Sequence, residues 1–170
     1  MEVKTISVLG AGIMGSGIAQ VSATAGYRTV LYDISEEMLG KAQTQTSENL
    51  QKGVELKKIT REQWELAVSC LEYSTGFSKA ATSDFIIEAA PEKIELKIEL
   101  FTRLHQIAPS HTIFASNTSA LSITEMAAAS RRPSQFIGMH FFNPVHKMKL
   151  VIEFFDIHNV SIMSNCNWTI

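Results

Sequence analysis

The chain has 170 residues, 45% of them hydrophobic and 19% charged, with a net charge of −2. That length favours one domain with a real core, and so ordinary a composition excludes a disordered or fibrous chain. The small acidic balance argues against a nucleic-acid partner or a membrane surface, and no stretch is apolar enough to span a bilayer. The two cysteines, Cys70 and Cys166, match no zinc or redox spacing, so no metal centre is expected. No charged leader precedes an apolar run, so the expected compartment is reducing and cytoplasmic.

Residues 3–9 form a β-rich run, the first expected strand. A helix rich in small residues follows from Ile13 to Ala25, with Gly26 suited to its C-terminal cap. Arg28 to Tyr32 reads as the second strand. Strand, helix and strand in this order make a parallel unit with a right-handed crossover. Ser35 fits an N-cap, with Glu36 and Glu37 in the first turn behind it.

Residues 41–72 read as two helices broken near Gly53, the second starting at Thr60. This is longer than a minimal crossover and predicts an insertion. Asp84 to Ala89 is a buried strand, and Pro91 opens a helix from Glu92 to Ile107. A strand at Thr112–Ala115, a short helix from Ser122 to Ala129, and strands at Phe136–Phe142 and Lys149–Phe155 complete the pattern. From Asn159 onward the periodicity stops, and the end of the chain is expected to be irregular. The expected architecture is α/β: a doubly wound, mostly parallel Rossmann sheet with a helical insertion after the second strand. Residues 1–155 form the nucleotide-binding unit and 156–170 a divergent, irregular tail.

Gly10, Gly12 and Gly15 form a G-x-G-x-x-G turn between the first strand and the first helix. The first glycine permits the tight turn, the second lets a pyrophosphate approach, and the third lets the helix pack closely. Free N–H groups and the helix dipole would hold the phosphates. Gly10, Ala11, Gly12, Ile13, Met14 and Gly15 are therefore candidate cofactor contacts. Asp33 ends the second strand, where a carboxylate can accept both hydroxyls of an adenosine ribose and repel a 2′-phosphate. No arginine follows, so NAD is favoured over NADP. Asp33 as a mere helix cap is the plain alternative, and the glycine turn alone does not separate NAD from FAD.

Three further motifs follow in order: Ile-Glu-Ala-Ala-Pro-Glu at 87–92, Ala-Ser-Asn-Thr-Ser at 115–119, and Gly-Met-His-Phe-Phe-Asn-Pro-Val at 138–145. With the glycine turn they resemble the NAD-binding domain of the 3-hydroxyacyl-coenzyme A dehydrogenases. The resemblance runs from about residue 3 to 151. It implies NAD-dependent oxidation of a (3S)-3-hydroxyacyl-CoA to the 3-oxoacyl-CoA in fatty acid metabolism. It aligns His140 with the catalytic base and Ser119 with the serine that hydrogen-bonds the substrate oxygen near the nicotinamide ribose. Imidazole titrates near neutrality and suits that proton transfer. Glu92, Lys97, Asn117 and Asn143 align with residues around the cofactor, and Ala90 passes it as backbone. Each has a plain alternative: a structural histidine, a first-turn glutamate, a solvated lysine, ordinary loop residues. The resemblance also puts coenzyme A near 49–58, where Lys57 or Lys58 could meet a phosphate, although a solvated helical face explains the same residues. His105, His111, His146 and His158 match no family position.

Two departures qualify this reading. The family places a glutamate after Met-Lys-Leu-Val, where it hydrogen-bonds the histidine. Here the run is Met-Lys-Leu-Val-Ile-Glu, so Ile152 holds that position and Glu153 comes one residue late. Neighbouring residues of a strand face opposite ways, so Glu153 should point away from His140 unless a bulge restores the phase. Residues 152–170 also resemble nothing in the helical C-terminal domain that the family adds next. The expectation is NAD binding with little turnover, either as a catalytically silent domain or as a dehydrogenase completed by a partner. Self-association is expected through apolar residues that the absent domain would cover, near Phe141, Phe142, Val145, Phe154 and Phe155.

Overall fold

The structure is a computed structural model. It describes residues 2–148, 150–156 and 159–164, the last two stretches as backbone apart from the Val151 side chain. Strand β1 (Thr5–Leu9) turns into helix α1 (Ile13–Thr24) and then β2 (Arg28–Tyr32). Helices α2 (Glu36–Glu55) and α3 (Arg61–Cys70) form the insertion that precedes β3 (Leu71–Ser74). The chain continues through α4 (Phe77–Ala80), β4 (Phe85–Glu88), α5 (Ile94–Ile107), β5 (Ile113–Ser116) and α6 (Ile123–Ala129). Strands β6 (Phe136–Phe141), β7 (Leu150–Asp156) and β8 (Asn159–Ser164) complete the sheet.

The strand order is β3-β2-β1-β4-β5-β6-β7-β8. The first six in that order are parallel, whereas β7 and β8 are antiparallel to their neighbours. This is the doubly wound arrangement in which strand order reverses beside β1, so that a crevice opens there at the carboxyl ends of the strands. Two apolar clusters sandwich the sheet. Ile6, Val8, Ile18, Leu31, Phe85 and Phe141 belong to one, and Leu9, Ile86, Phe101, Leu104, Phe114 and Phe136 to the other. Neighbours along β1 and β4 fall in opposite clusters, as the alternation of a strand requires. A third cluster of Leu50, Ala67 and Ala23 ties the insertion to α1.

Local signals explain most of the boundaries. The Ser35 hydroxyl caps α2 by accepting the Met38 N–H, and Thr60 with Gln63 forms a capping box at α3. Gly26, at φ 93°, ends α1 in a conformation that a side chain disfavours.

Several expectations need correction. Helix α2 runs through Gly53 to Glu55, and the break comes at 56–60, where Lys57 takes φ 55°. Residues 71–74, expected partly within the insertion, pair with β2 as an edge strand. Helix α5 starts at Ile94, so Glu92 belongs to the loop before it rather than to its first turn. Residues 159–164, expected to be irregular, pair with β7; His158 and Cys166 lie outside the described residues. Of the apolar residues expected on an open face, Phe141 and Val145 are buried and Phe142 is half-buried. The side chains of Phe154 and Phe155 lie outside the described part. Among the described residues, no helix is long and apolar enough to cross a membrane.

Candidate functional site

The glycine turn is built for a close approach. Gly10 adopts φ 109°, and a Cβ there would meet the Ala89 carbonyl oxygen at 2.6 Å. A Cβ on Gly15 would lie 1.7 Å from the Gly10 carbonyl oxygen, so only glycine lets α1 seat against the turn. At Gly12 a Cβ would meet nothing within 4 Å, which leaves the open space a diphosphate needs. No side chain among the described residues caps α1. Its first N–H groups and its dipole thus point into that space. The residues fit a dinucleotide by this test.

Asp33 lies on the β2 side of the turn. One carboxylate oxygen accepts the Ala11 N–H at 2.8 Å and the other the Ser35 N–H at 2.9 Å. Asp33 therefore joins the glycine turn to the start of α2 and still has lone pairs for a sugar. The local tie thus leaves acceptor capacity free on Asp33. Ile13, 77% exposed, flanks the open space above the turn.

On the β4 side, a cleft of about 410 Å³ brings together Met14, Ala90, Glu92, Lys97, Asn117, Ser119, His140 and Asn143. Eight candidate residues from four separate stretches of sequence thus meet in one cavity. The Asn117 side-chain oxygen accepts the Phe141 N–H at 2.9 Å, which locks the loop after β5 onto β6. Ser119 is exposed at the mouth. Lys97 is only 1% exposed, so the reading of it as a solvated lysine fails. Its ammonium donates to Glu88 at 2.7 Å, to Glu92 at 3.1 Å and to the Ala90 carbonyl at 3.3 Å. Partial burial opposes the charged form of Glu92. The Thr118 hydroxyl and the Lys97 ammonium outweigh it and hold the carboxyl below its ordinary value.

Sequence reasoning missed Glu88, Ser116 and Thr118. Glu88 is fully buried and also accepts the Ala90 N–H at 2.6 Å and the Ser116 hydroxyl. The signal was present: a glutamate that ends an apolar strand is rarely buried unless paired, and Lys97 lies nine residues on.

The His140 ring packs edge-on to Phe142 at 4.7 Å between ring centres. Its Nδ1 is buried and has no hydrogen-bond partner among the described residues. The β6–β7 ladder runs without a slip from Gly138 opposite Phe154 to Phe141 opposite Val151, which sets position 152 opposite His140 and position 153 opposite Met139. Opposed positions share a face of the sheet. No bulge restores the phase, so position 153 belongs to the Met139 face.

A second cavity of about 450 Å³ lies between α1, α2 and the 143–146 loop. Gln20, Lys41, Asn49 and His146 line it, and Asn49 donates to Gln20 at 3.4 Å. Burial lowers the His146 pKa, and the neighbouring Lys147 and Lys58 lower it further. His146, left without a role by its sequence, thus stands on a basic rim. Of the other histidines, His105 accepts from Arg132 and His111 pairs with Asp84, both away from the cleft.

With this geometry in place, comparison with known proteins is direct. The sequence profile described as "3-hydroxyacyl-CoA dehydrogenase, NAD binding domain" matches residues 5–154. The mitochondrial hydroxyacyl-coenzyme A dehydrogenase of Mus musculus is 46% identical over 156 residues, covering 88% of this chain and 49% of that protein. A probable 3-hydroxybutyryl-CoA dehydrogenase of Bacillus subtilis is 44% identical, covering 89% of this chain and 53% of its own length. The crystal structure of 3-hydroxybutyryl-CoA dehydrogenase from Escherichia coli superposes with a TM-score of 0.85 at 41% identity, covering 89% of this chain and 32% of that one. The chain thus spans about half the length of the mouse and Bacillus relatives. By profile, identity and fold together, this chain belongs to the 3-hydroxyacyl-CoA dehydrogenases and carries their NAD-binding domain.

Proposed function

We propose that this chain is the cofactor-binding half of a dehydrogenase for (3S)-3-hydroxyacyl-CoA, and that alone it binds NAD with little turnover. The observation that carries this is His140: it lines the cleft with Ser119 and Asn117, yet its buried Nδ1 lacks a partner among the described residues. An imidazole oriented as a base normally has its second nitrogen held by an acceptor. In the proposed reaction Ser119 donates to the substrate oxygen and His140 removes the hydroxyl proton through Nε2. NAD, when bound, supplies the acceptor for the hydride that leaves C3. The remaining candidates, Met14, Ala90, Glu92, Lys97, Asn117 and Asn143, shape the nicotinamide side. The glycine turn and Asp33 take the diphosphate and the adenosine ribose. The NAD-binding unit extends to about residue 155.

The substrate belongs to the same proposal. The second cavity, with Lys41, His146 and the nearby Lys58, suits the phosphates of coenzyme A. A cytoplasmic location is also proposed, although several relatives are named as mitochondrial, and cell fractionation decides it. Self-association rests on the half-buried Phe142 among the described positions, and a monomer in light scattering at high concentration removes it.

Calorimetry with NAD, followed by NADH absorbance after adding 3-hydroxybutyryl-CoA, tests the reading. Saturable binding with turnover about 10²-fold or more below a complete enzyme is expected when base catalysis is impaired. Steady turnover at a full rate overturns the silent half of the proposal, and absent NAD binding overturns the cofactor half.

A further inference from the structure

Two glutamates share one lysine at the inner end of the cleft. The three N–H groups of the Lys97 ammonium go to Glu88, Glu92 and the Ala90 carbonyl. Three is all an ammonium has, so the lysine is saturated. One glutamate would neutralise it; the second leaves the cluster with a net negative charge. Glu88 and Lys97 are 0% and 1% exposed, so solvent screens them poorly. The Ser116 hydroxyl fixes Glu88, and the Thr118 hydroxyl fixes Glu92. Stability alone does not account for the arrangement, because apolar residues of equal volume often match or exceed a buried ion pair.

Its place in the fold points to a use. A dinucleotide crosses the crevice where the strand order reverses. Asp33, at the end of β2, receives the adenosine side. Glu88, at the end of β4, lies behind Lys97, Glu92 and Ala90, which line the cleft proposed for the nicotinamide. The oxidised ring is cationic and the reduced ring neutral. We infer that the Glu88–Lys97–Glu92 cluster biases relative affinity toward the oxidised cofactor, because its surplus negative charge stabilises the cationic ring. Glu88 is buried and does not line the cleft, so it acts through the field of the cluster. This inference rests on the NAD reading above and adds a charge preference to it.

The test measures Kd for NAD⁺ and for NADH separately, at low ionic strength, on the full chain. Glu88→Gln keeps the shape and an acceptor for the Ala90 N–H but removes the charge. The ratio Kd(NAD⁺)/Kd(NADH) should rise at least about fivefold, the effect of one unit charge even at a water-like effective dielectric. Glu92→Gln, at a carboxylate 46% exposed, leaves the core intact and should move the ratio the same way. The double variant Glu88→Gln with Lys97→Met restores a single net negative charge and should return the ratio toward wild type. A merely structural role would weaken both forms alike and leave the ratio unchanged in all three. If Glu88→Gln does not fold, Glu92→Gln decides alone. An unchanged ratio in variants that still bind NAD⁺ overturns this inference. A wild-type chain that binds neither form overturns the NAD reading instead.

Discussion

Just ahead of β4, the Asp84 carboxylate collects the N–H groups of Lys4 and Thr5, the Thr5 hydroxyl and the His111 ring. Four residues later, at the other end of the same strand, Glu88 collects the Ala90 N–H, the Lys97 ammonium and the Ser116 hydroxyl. Both carboxylates bind neighbouring strands together. At the lower edge the partners are spent on one another, and none of them lines either cavity described above. At the upper edge groups are left unspent among the described residues: the uncapped start of α1, the exposed Ser119 and the Nδ1 of His140 on β6. In a parallel sheet all the carboxyl ends lie on one side, so only there do loops from distant segments converge on one ligand. The same chemistry thus makes a fastener at one edge and a site at the other.

Substitutions at the two edges should separate stability from binding. The largest effect is expected at Gly15→Ala, where the added carbon would meet backbone at 1.7 Å. The turn must distort, with a loss of about 3 kcal/mol in thermal or urea unfolding and of NAD binding together. An alanine variant with intact affinity would break the comparison outright. Next is Asp33→Ala, which strands the Ala11 and Ser35 N–H groups and removes the proposed ribose acceptor. NAD affinity should fall about thirtyfold in calorimetry, with the preference over NADP reduced.

Asp84→Asn should act on the opposite property. We expect a loss of about 1–2 kcal/mol of stability with NAD affinity unchanged. The sign with pH follows from its carboxyl. Partial burial opposes ionisation, but the Lys4 N–H, the Thr5 hydroxyl and N–H, and His111 prevail, and the pKa falls from 3.8 to about 2. A pKa lowered by folding stabilises the protein above the unfolded value, and that contribution disappears as pH drops from 3.8 through about 2. Acid unfolding curves of wild type and Asp84→Asn should therefore converge in that window; curves that stay parallel contradict the assignment. The smallest effect belongs to Thr60→Ala in the capping box of α3, remote from both edges. About 1 kcal/mol of stability should be lost, with no change in binding.

Features carried by adjacent residues are legible in the amino-acid sequence. The glycine turn, Asp33, β2 from Arg28 to Tyr32, and the caps at Ser35 and Thr60 all depend on backbone geometry within a few positions. The edge strand Leu71–Ser74 is not legible in this way: four residues without alternation become a strand only because β2 offers an unpaired edge. Glu92 misleads for a related reason, since a proline followed by glutamate fits a helix start, yet Glu92 stays in the loop bonded to Thr118 and Lys97. Ordered motifs identify His140 and Ser119 as candidates but say nothing about how the cleft is furnished behind them.

The sequence by itself determined the βαβ unit, the dinucleotide turn, the family and the shift of the acid from position 152 to 153. Tertiary structure alone decided that Lys97 and Glu88 are buried together, that the β6–β7 ladder runs without a slip opposite His140, and that eight candidates share one cavity. The division has a physical cause. Turns and caps are settled by local dihedrals and nearby hydrogen bonds. The state of a buried charge, or of an imidazole nitrogen, depends on partners that only chain packing brings within about three ångströms.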